Sequence, residues 1–380
     1  MASDLADRSL ADPPMRLRIA LFGAGLVGQA AHAPTLADDR DRFEFVAVVD
    51  PSTTAREAVA ARYGVEQACA TLEDAIALGL DAVVVAVPDA AHRVAVLTAL
   101  AAGLHVLCEK PLALTVADVD EILAARRDRV VQCGYMKLYD PAVEKMVELL
   151  RGADLVHLTV TVNDPDQAAF VDHLGLTPGR DAPAELVETT RREAREAVAE
   201  ALGREADGPE SRAFEAFLGS IVHDVSLAHH LLGSLGISPP LPLADASYFD
   251  AGRGVSLDWA LPGGRRAHLE HLNLPGVPDY RERVTAYCRD RILELTFPSP
   301  YLRHVPTRLV ERRPGASVAG LEKIEHRISY EEAFRNELRA FHAAVTTGAP
   351  VRASVEAARD DVIALLAAFR LAADRHQAAA

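Results

Sequence analysis

The stretch that decides the fold is Leu17-Arg18-Ile19-Ala20-Leu21-Phe22-Gly23-Ala24-Gly25-Leu26-Val27-Gly28. Its first half is a nearly continuous apolar run, which predicts a strand covered on both faces of a sheet. A G-x-G-x-x-G pattern follows this strand and opens a helical pattern, and that context gives the glycines their meaning. Gly23 permits a tight turn, Gly25 lets a pyrophosphate approach the backbone, and Gly28 lets the helix pack closely on the strand.

An acidic residue completes the pattern. The second apolar strand, Phe45–Val49, ends at Asp50, about 20 residues beyond the glycines, where a ribose-binding acid is expected. Leu26 and Val27 begin the intervening helix, whose free N–H groups favour phosphate. A carboxylate at Asp50 accepts hydrogen bonds from ribose hydroxyls and repels a 2′-phosphate, so the sequence predicts NAD as the cofactor. Arg56 is close enough along the chain that NADP is also possible.

Strand and helix patterns alternate along residues 16–134, which predicts βαβ units and a doubly wound, parallel Rossmann sheet. Further apolar strand candidates in this part are residues 81–87, 105–107 and 130–133, with a helix over residues 90–102. Residues 1–15 are interpreted as a flexible tail, because they lack the apolar segment of a signal peptide.

Residues 135–380 have a different pattern. Leu155–Val162 alternates apolar and polar side chains, as a strand with one solvent-facing side does. Similar strand candidates are residues 244–249, 255–261, 266–272, 282–288 and 291–297, and helix candidates are residues 214–232, 331–346 and 355–373. The sequence therefore predicts a C-terminal α+β domain on a large, mostly antiparallel open sheet, with a last helix that could pack back on the first domain. The charged residues 182–204 predict a solvated helix, which could also be a lid or a subunit contact.

Composition limits the function classes. The chain has 380 residues, of which 49% are hydrophobic and 25% charged, so it is typical of a globular protein with two domains. Its formal net charge of −15 disfavours binding to nucleic acid or to an anionic membrane. Four scattered cysteines without a C-x-x-C pair indicate a reducing compartment, and we expect a cytoplasmic protein. We expect no metal site, because adjacent His229 and His230 diverge on a helix, and His268 and His271 on a strand.

Five local patterns carry a resemblance to a known family. They are the Gly-rich turn with Asp50, Val87-Pro88-Asp89-Ala90-Ala91-His92, Cys108-Glu109-Lys110-Pro111, Ser220-Ile221-Val222-His223-Asp224 and Phe334-Arg335-Asn336-Glu337-Leu338. Together they resemble the Gfo/Idh/MocA oxidoreductases, a family that includes glucose–fructose oxidoreductase and inositol dehydrogenases. The resemblance implies a Rossmann domain, an α+β domain and a site between them. It also implies homodimers or homotetramers that form through the open sheet, whose apolar face would need a partner.

The resemblance further implies the roles of individual residues. Pro88, His92, Glu109 and Lys110 would contact the cofactor together with the Gly-rich turn. Lys110 would also hydrogen-bond the reacting oxygen, where an ammonium stabilises a developing alkoxide. His223 would contact the substrate and accept or return its proton near neutral pH.

The chain departs from the family pattern at Gly219, where many members have an aspartate one helical turn before the histidine. Asp224 follows the histidine directly and points about 100° away from it on a helix, so it is a poor substitute. Tyr135, Lys137 and Asp164 are expected on the substrate side, and any of them could fill the gap. Alternatively, the lysine and the histidine could suffice.

Three functions are compatible with these residues. The leading hypothesis is an NAD-dependent oxidoreductase that acts on a hydroxyl or carbonyl of a sugar, an aminosugar or a cyclitol-like small molecule. Because Gly219 replaces the aspartate of many family members, a second hypothesis is an enzyme that recycles its NAD. Such an enzyme cleaves glycosides or acts like an epimerase, and its oxidation of one hydroxyl acidifies a neighbouring C–H. A non-catalytic dinucleotide-binding regulator is the third hypothesis, since a fold does not guarantee an activity. Lys110 and His223 together argue against the third.

Overall fold

The computed structural model describes residues 15–317 and 319–379, so all of the predicted tail except Met15 lies outside the described residues. The N-terminal sheet has six strands in the order β3-β2-β1-β4-β5-β6. Every pair in this sheet is parallel. The strands are β1 (Leu17–Phe22), β2 (Phe43–Val49), β3 (Gln67–Cys69), β4 (Ala82–Val85), β5 (His105–Glu109) and β6 (Val131–Gly134). This strand order is that of a doubly wound Rossmann sheet, as the sequence predicts.

Helices cover both faces of this sheet, which explains why its strands show no polar alternation. All four residues of β4 are buried. A π-helical turn, Gly28–His32, joins the Gly-rich turn to the first helix. The helices of this domain are α1 (Ala33–Asp38), α2 (Thr53–Tyr63), α3 (Leu72–Ile76), α4 (His92–Ala101) and α5 (Val116–Ala125).

The C-terminal sheet has eight strands in the order β14-β13-β12-β11-β7-β10-β9-β8. Only the β7–β10 pair is parallel, so the sheet is mixed and mostly antiparallel, as the sequence predicts. Its strands are β7 (Leu155–Asp164), β8 (Leu243–Phe249), β9 (Gly254–Leu261), β10 (Arg265–Asn273), β11 (Arg281–Cys288), β12 (Ile292–Phe297), β13 (Arg308–Pro314) and β14 (Leu321–His326).

One side of this sheet packs on helices, and the other side is polar. The helices of the domain are α6 (Pro141–Leu150), α7 (Ala168–Val171), α8 (Ala184–Leu202), α9 (Gly208–Ala216), α10 (Val222–Gly233), α11 (Ala333–Thr347) and α12 (Val355–Ala379). On the other side His268 Nδ1 lies 3.1 Å from Asp258 Oδ1, and Arg312 Nη2 lies 3.3 Å from Glu294 Oε1. The prediction of an apolar open face is therefore wrong, because the outward positions of these strands carry charged side chains.

The helix α12 contacts both domains. Arg126 Nη2 of α5 lies 2.8 Å from Glu356 Oε1, and Arg359 Nε donates to Asp120 Oδ1 at 2.5 Å. In the loop before α12, Ala353 O accepts a hydrogen bond from Cys133 N of β6 at 2.9 Å. The charged segment predicted over residues 182–204 contains α8, which buries Ala197, Val198 and Ala201 and leaves most of its other side chains exposed. Among the described residues, no helix combines the length and the apolar character that crossing a membrane requires.

Candidate active site

The Gly-rich turn is closely packed at its two ends and open in the middle. Gly23 has a φ of +111°, and a Cβ on it would lie 2.2 Å from Ala86 O. A Cβ on Gly28 would lie 2.1 Å from Gly23 O. A Cβ on Gly25, by contrast, would meet no protein atom within 4 Å. The fold therefore requires glycine at positions 23 and 28, whereas the space beside Gly25 can admit a phosphate group.

Asp50 lies directly beside this turn. Its Oδ2 accepts a hydrogen bond from Ala24 N at 2.7 Å, and its Oδ1 accepts one from Ser52 N at 2.8 Å. Each carboxylate oxygen has a second lone pair, and the side chain is half-buried, so both oxygens can still accept from a ligand. Leu26 and Val27 begin the helix on the other side of the turn. The structure thus brings these predicted cofactor-binding residues together.

Arg56, the residue for which the sequence also allows NADP, donates hydrogen bonds to backbone carbonyl groups. Its Nη1 donates to Asp50 O at 3.1 Å and to Pro51 O at 3.2 Å. These bonds hold the guanidinium against the end of β2 through Nη1.

The strand β5 ends in Glu109, a buried carboxylate. His32 Nε2 lies 2.7 Å from Glu109 Oε1. Burial alone would raise the pKa of Glu109, but the bond to His32 and the positive charges nearby hold this pKa below its usual value. The next residue, Lys110, extends to the C-terminal domain, where its Nζ donates to Gly219 O. The lysine thus lies between the domains at the carboxyl edge of the parallel strands, where ligands of such sheets bind.

His92 is fully buried between two loops at this same edge. Its Nδ1 lies 2.6 Å from Pro111 O, and its Nε2 lies 2.9 Å from Val87 O. It therefore ties the segment after β5 to the segment after β4. This contact holds Pro111, the residue that follows Lys110, whereas Pro88 is exposed.

His223 lies one residue into α10, after a π-helical turn formed by Phe217–Ile221. Such turns are frequent at functional sites. The ring is half-buried, and its Nδ1 is enclosed without a hydrogen-bond partner among the described residues. Burial, followed by the positive charges of Lys110 and Lys137, lowers the pKa of His223 well below its usual value. The imidazole is therefore neutral at pH 7 and can accept a proton.

Gly219 faces a carboxylate that the sequence pattern does not identify. Asp89 Oδ2 lies 3.8 Å from the position that a Cβ on Gly219 would take. Asp89 belongs to the turn after β4 in the Rossmann domain and is half-buried. Its position within the pattern from Val87 to His92 is visible in the sequence, but its approach to a residue so distant along the chain depends on domain packing.

Lys137, predicted to face the substrate, lies in a buried cluster with two acids. Its Nζ lies 2.9 Å from Asp224 Oδ1 and 2.7 Å from Glu282 Oε1, and Tyr280 OH donates to Glu282 Oε2 at 2.5 Å. Burial alone would lower the pKa of Lys137, but the two carboxylates hold it above its usual range. Asp224 is therefore engaged by Lys137.

Tyr135 and Asp164 occupy different environments. Tyr135 is only 1% exposed, and its ring meets that of His223 edge-on, with 6.4 Å between the ring centroids. It therefore packs behind the histidine. Asp164 is half-buried at the end of β7, where its Oδ2 accepts a hydrogen bond from Ser220 Oγ at 3.3 Å, and burial raises its pKa. Of the two, Asp164 is the more exposed.

A loop of the C-terminal domain, residues 174–181, lies against the Gly-rich turn and α2. Gln29 bonds to this loop through both polar atoms of its side-chain amide. Its Nε2 donates to Thr177 O at 2.8 Å, and its Oε1 accepts from Thr177 N at 2.9 Å. Farther along α2, Arg62 Nη1 donates to Leu174 O at 2.9 Å. We call residues 174–181 the crossing loop.

Within residues 15–317 and 319–379, no group of three histidine, cysteine, aspartate or glutamate side chains has an arrangement that could hold a metal ion.

Comparisons with known proteins agree with this architecture. Residues 17–136 match the family model GFO_IDH_MocA, described as an oxidoreductase family with an NAD-binding Rossmann fold. Inositol 2-dehydrogenase 1 of Saccharopolyspora erythraea is 41% identical over 141 residues, which are 36% of this chain and 42% of that protein. The chain therefore spans about two fifths of that relative. Inositol 2-dehydrogenase of Rhizobium meliloti is 26% identical over 96% of this chain and 99% of that protein.

Solved structures share the two-domain fold. A UDP-N-acetylglucosamine 3-dehydrogenase from Acidithiobacillus ferrooxidans superimposes with a TM-score of 0.69 at 18% identity, over 94% of this chain and 99% of that one. A myo-inositol 2-dehydrogenase from Lactobacillus plantarum superimposes with a TM-score of 0.69 at 18% identity, over 95% and 98%. At such identities the likeness shows the fold alone.

Proposed function

The domain formed by residues 17–136 belongs to the Gfo/Idh/MocA oxidoreductase family, and from this premise we propose that the chain transfers hydride between NAD and a small molecule. The substrate would carry the reacting hydroxyl or carbonyl on a sugar, aminosugar or cyclitol-like ring, the chemistry named for the relatives above. The observation that carries the proposal is the bond from Lys110, at the edge of the sheet that also presents the Gly-rich turn, to Gly219 O, one helical turn before His223.

The residues of the Rossmann domain fit a dinucleotide. The open space beside Gly25 would take the pyrophosphate, and Asp50 would accept hydrogen bonds from the adenosine ribose. We favour NAD over NADP, since the carboxylate of Asp50 repels a 2′-phosphate and Arg56 is bonded to the backbone. When bound, the nicotinamide supplies the site that gains or loses hydride.

Substitution at Gly25 is expected to weaken cofactor binding while the stability of the fold is retained. Gly25→Ala should weaken NADH binding at least about tenfold, because the added methyl group occupies the phosphate space, and should change the free energy of unfolding by less than about 1 kcal/mol. Gly233→Ala, at an open position at the end of α10, is the matched control and should change neither quantity. Calorimetric titration and urea unfolding measure the two. Unchanged NADH binding in Gly25→Ala would contradict the placement of the pyrophosphate.

Lys110 and His223 have complementary tasks in the proposed reaction. During oxidation of an alcohol the Lys110 ammonium would exchange its bond to Gly219 O for one to the substrate oxygen and stabilise the developing alkoxide. The neutral His223 would accept the hydroxyl proton, and in the reverse direction it would return that proton to the carbonyl oxygen. Asp164 and Ser220 would hold neighbouring hydroxyls of the ring.

Asp89 is expected to supply the carboxylate that Gly219 lacks. Asp89→Asn should lower kcat by about 10–100-fold while NADH binding stays unchanged, because it removes the negative charge beside Gly219, whose carbonyl oxygen binds Lys110. In the Asp89→Asn background, Gly219→Asp should restore part of the activity. In the wild-type background the same Gly219→Asp change should be harmful, since it places a second carboxylate beside that of Asp89. Steady-state kinetics of all four proteins measure this; equal activity of wild type and Asp89→Asn would contradict the assignment.

The experiment that tests the proposed function begins with cofactor-stripped protein. Calorimetric titration with NADH and NADPH should show binding with a preference for NADH, and a screen of polyols, sugars and aminosugars should then change the nicotinamide absorbance. A protein that binds neither dinucleotide is not an oxidoreductase of this kind, whatever its fold.

The crossing loop favours a second candidate, an enzyme that keeps its NAD bound and recycles it. Its bonds to Gln29 and Arg62 would restrict release of the dinucleotide. In that case substrate would be converted by protein with a single equivalent of NAD, without net formation of NADH.

We also propose that copies of the chain associate through the open face of the eight-stranded sheet. Because this face carries charged side chains that pair within each copy, the contacts between copies would be polar rather than apolar.

A further inference from the structure

Asp181, the last residue of the crossing loop, is bonded to the N-terminus of α2. Ser52 Oγ donates to Asp181 Oδ1, and Thr54 N donates to Asp181 Oδ2 at 3.1 Å. The same Ser52 Oγ accepts from Ala55 N at 3.0 Å and so caps the helix. The carboxylate thus stands at the N-terminus of an eleven-residue helix, where N–H groups and the helix dipole favour an anion.

The position and the charge of this carboxylate are both well defined. A Cβ on Gly179 would lie 3.0 Å from Ser52 Cβ, so the loop packs closely on the helix start, and Gln29 holds the loop at Thr177. The hydrogen bonds from Ser52 and Thr54 lower the pKa of Asp181 to about 2. The group is therefore ionised throughout the neutral pH range.

Asp181 lies next to the acid that would bind the adenosine ribose. Ser52 connects the two carboxylates, because its backbone N–H donates to Asp50 and its hydroxyl donates to Asp181. A phosphate on the 2′-oxygen of a ribose held by Asp50 would enter this region and would need donors such as Ser52 Oγ and Thr54 N. Asp181 already occupies both donors, and its negative charge would repel the phosphate.

We propose that Asp181 is a second determinant of cofactor choice, an internal anion from the C-terminal domain that takes the place of a 2′-phosphate and excludes NADP(H). This proposal rests on the proposed function. It adds that discrimination between the two dinucleotides requires the C-terminal domain, although the Gly-rich turn and Asp50 belong to the Rossmann domain.

Asp181→Asn is expected to raise the affinity for NADPH about tenfold or more and to leave that for NADH within about twofold. Asparagine keeps the shape, but its amide has one acceptor, so its Oδ1 can accept from Thr54 N while its Nδ2 donates to Ser52 Oγ. The variant therefore removes the charge and frees the Ser52 hydroxyl proton for a phosphate. The exposed Arg180 would then attract the phosphate without an adjacent carboxylate. Asp172→Asn is the matched control, because it removes the same charge from an exposed residue two positions before the crossing loop.

The measurement is calorimetric titration of wild type and both variants with NADH, NADPH, 5′-AMP and 2′,5′-ADP. A gain for NADPH and 2′,5′-ADP in Asp181→Asn alone supports the proposal. An equal gain in Asp172→Asn, or an unchanged ratio of NADPH to NADH affinity in Asp181→Asn, overturns it while NADH binding still upholds the proposed function. Failure of the wild type to bind either dinucleotide instead removes the proposed function itself.

Discussion

Lys110→Met is expected to lower kcat about a thousandfold or more with the substrate that the screen identifies. The variant keeps the length and the apolar part of the side chain but loses the ammonium that donates to Gly219 O. Loss of one donor to a developing oxyanion costs about 10²–10³ in rate, and loss of a proton-handling group adds to this. The affinity for NADH should change little, because the Gly-rich turn and Asp50 are untouched.

The control for this variant is Lys145→Met, which removes an ammonium from the surface of α6, where Lys145 pairs with Glu148. It should retain wild-type kcat. A Lys110→Met protein that binds NADH normally and turns over near the wild-type rate would remove Lys110 from the chemistry and revive the non-catalytic reading of this chain.

His223→Asn is expected to lower kcat by about a hundredfold and to change the pH dependence of kcat/KM. In the wild type, burial and the two lysines lower the pKa of His223, so the imidazole stays neutral below the usual histidine range. The acid limb of the wild-type profile should therefore lie well below pH 6.5, and this limb should be absent from the variant. A wild-type limb at or above pH 6.5 would contradict the buried, neutral base.

The matched variant is His230→Asn, on the same helix but away from Lys110. Burial lowers the pKa of His230 to about 4, so this histidine also stays neutral near pH 6, yet its loss should leave kcat and the acid limb unchanged.

The lowered pKa values of His223 and His230 also make the stability of the fold depend on pH. Because the pKa of each buried histidine is lower in the folded state, the free energy of unfolding should decrease as the pH falls below about 6.5, and each Asn variant should lose part of that decrease.

The sequence predicts those elements whose burial leaves a pattern. Strand β1 is a nearly continuous apolar run, the all-buried β4 is a continuous one, and β7 alternates. Strand β3 is mostly exposed and has three residues, so it has no such pattern. Strands β13 and β14 carry charged residues that pair with each other at the edge of the sheet, as Arg313 Nε does with Glu322 Oε2 at 2.8 Å. Because of these charges, the two segments resemble loops when the sequence alone is considered.

The candidate site could be predicted where a motif fixes both residue and backbone, as at the Gly-rich turn, Asp50 and Lys110. It could not be predicted where the partner comes from another domain. The approach of Asp89 to Gly219, and of Asp181 to Ser52, depends on how two separately patterned domains pack. Lys137 illustrates the opposite case, since its position near the site was expected but its neutralisation by Asp224 and Glu282 was not.

The two-sided attachment of the C-terminal domain has a consequence for the order of events in a catalytic cycle. The crossing loop is bonded to α2 on one side of the Rossmann sheet, and α12 is bonded to α5 elsewhere on that domain. The bonds of this loop to Gln29 and Arg62 would restrict the release of a dinucleotide bound beside the Gly-rich turn more than that of a small ring at Asp164. The sugar-like product would then depart first and the dinucleotide last, so that loop opening would set the steady-state rate and a first turnover would be faster than the ones that follow it.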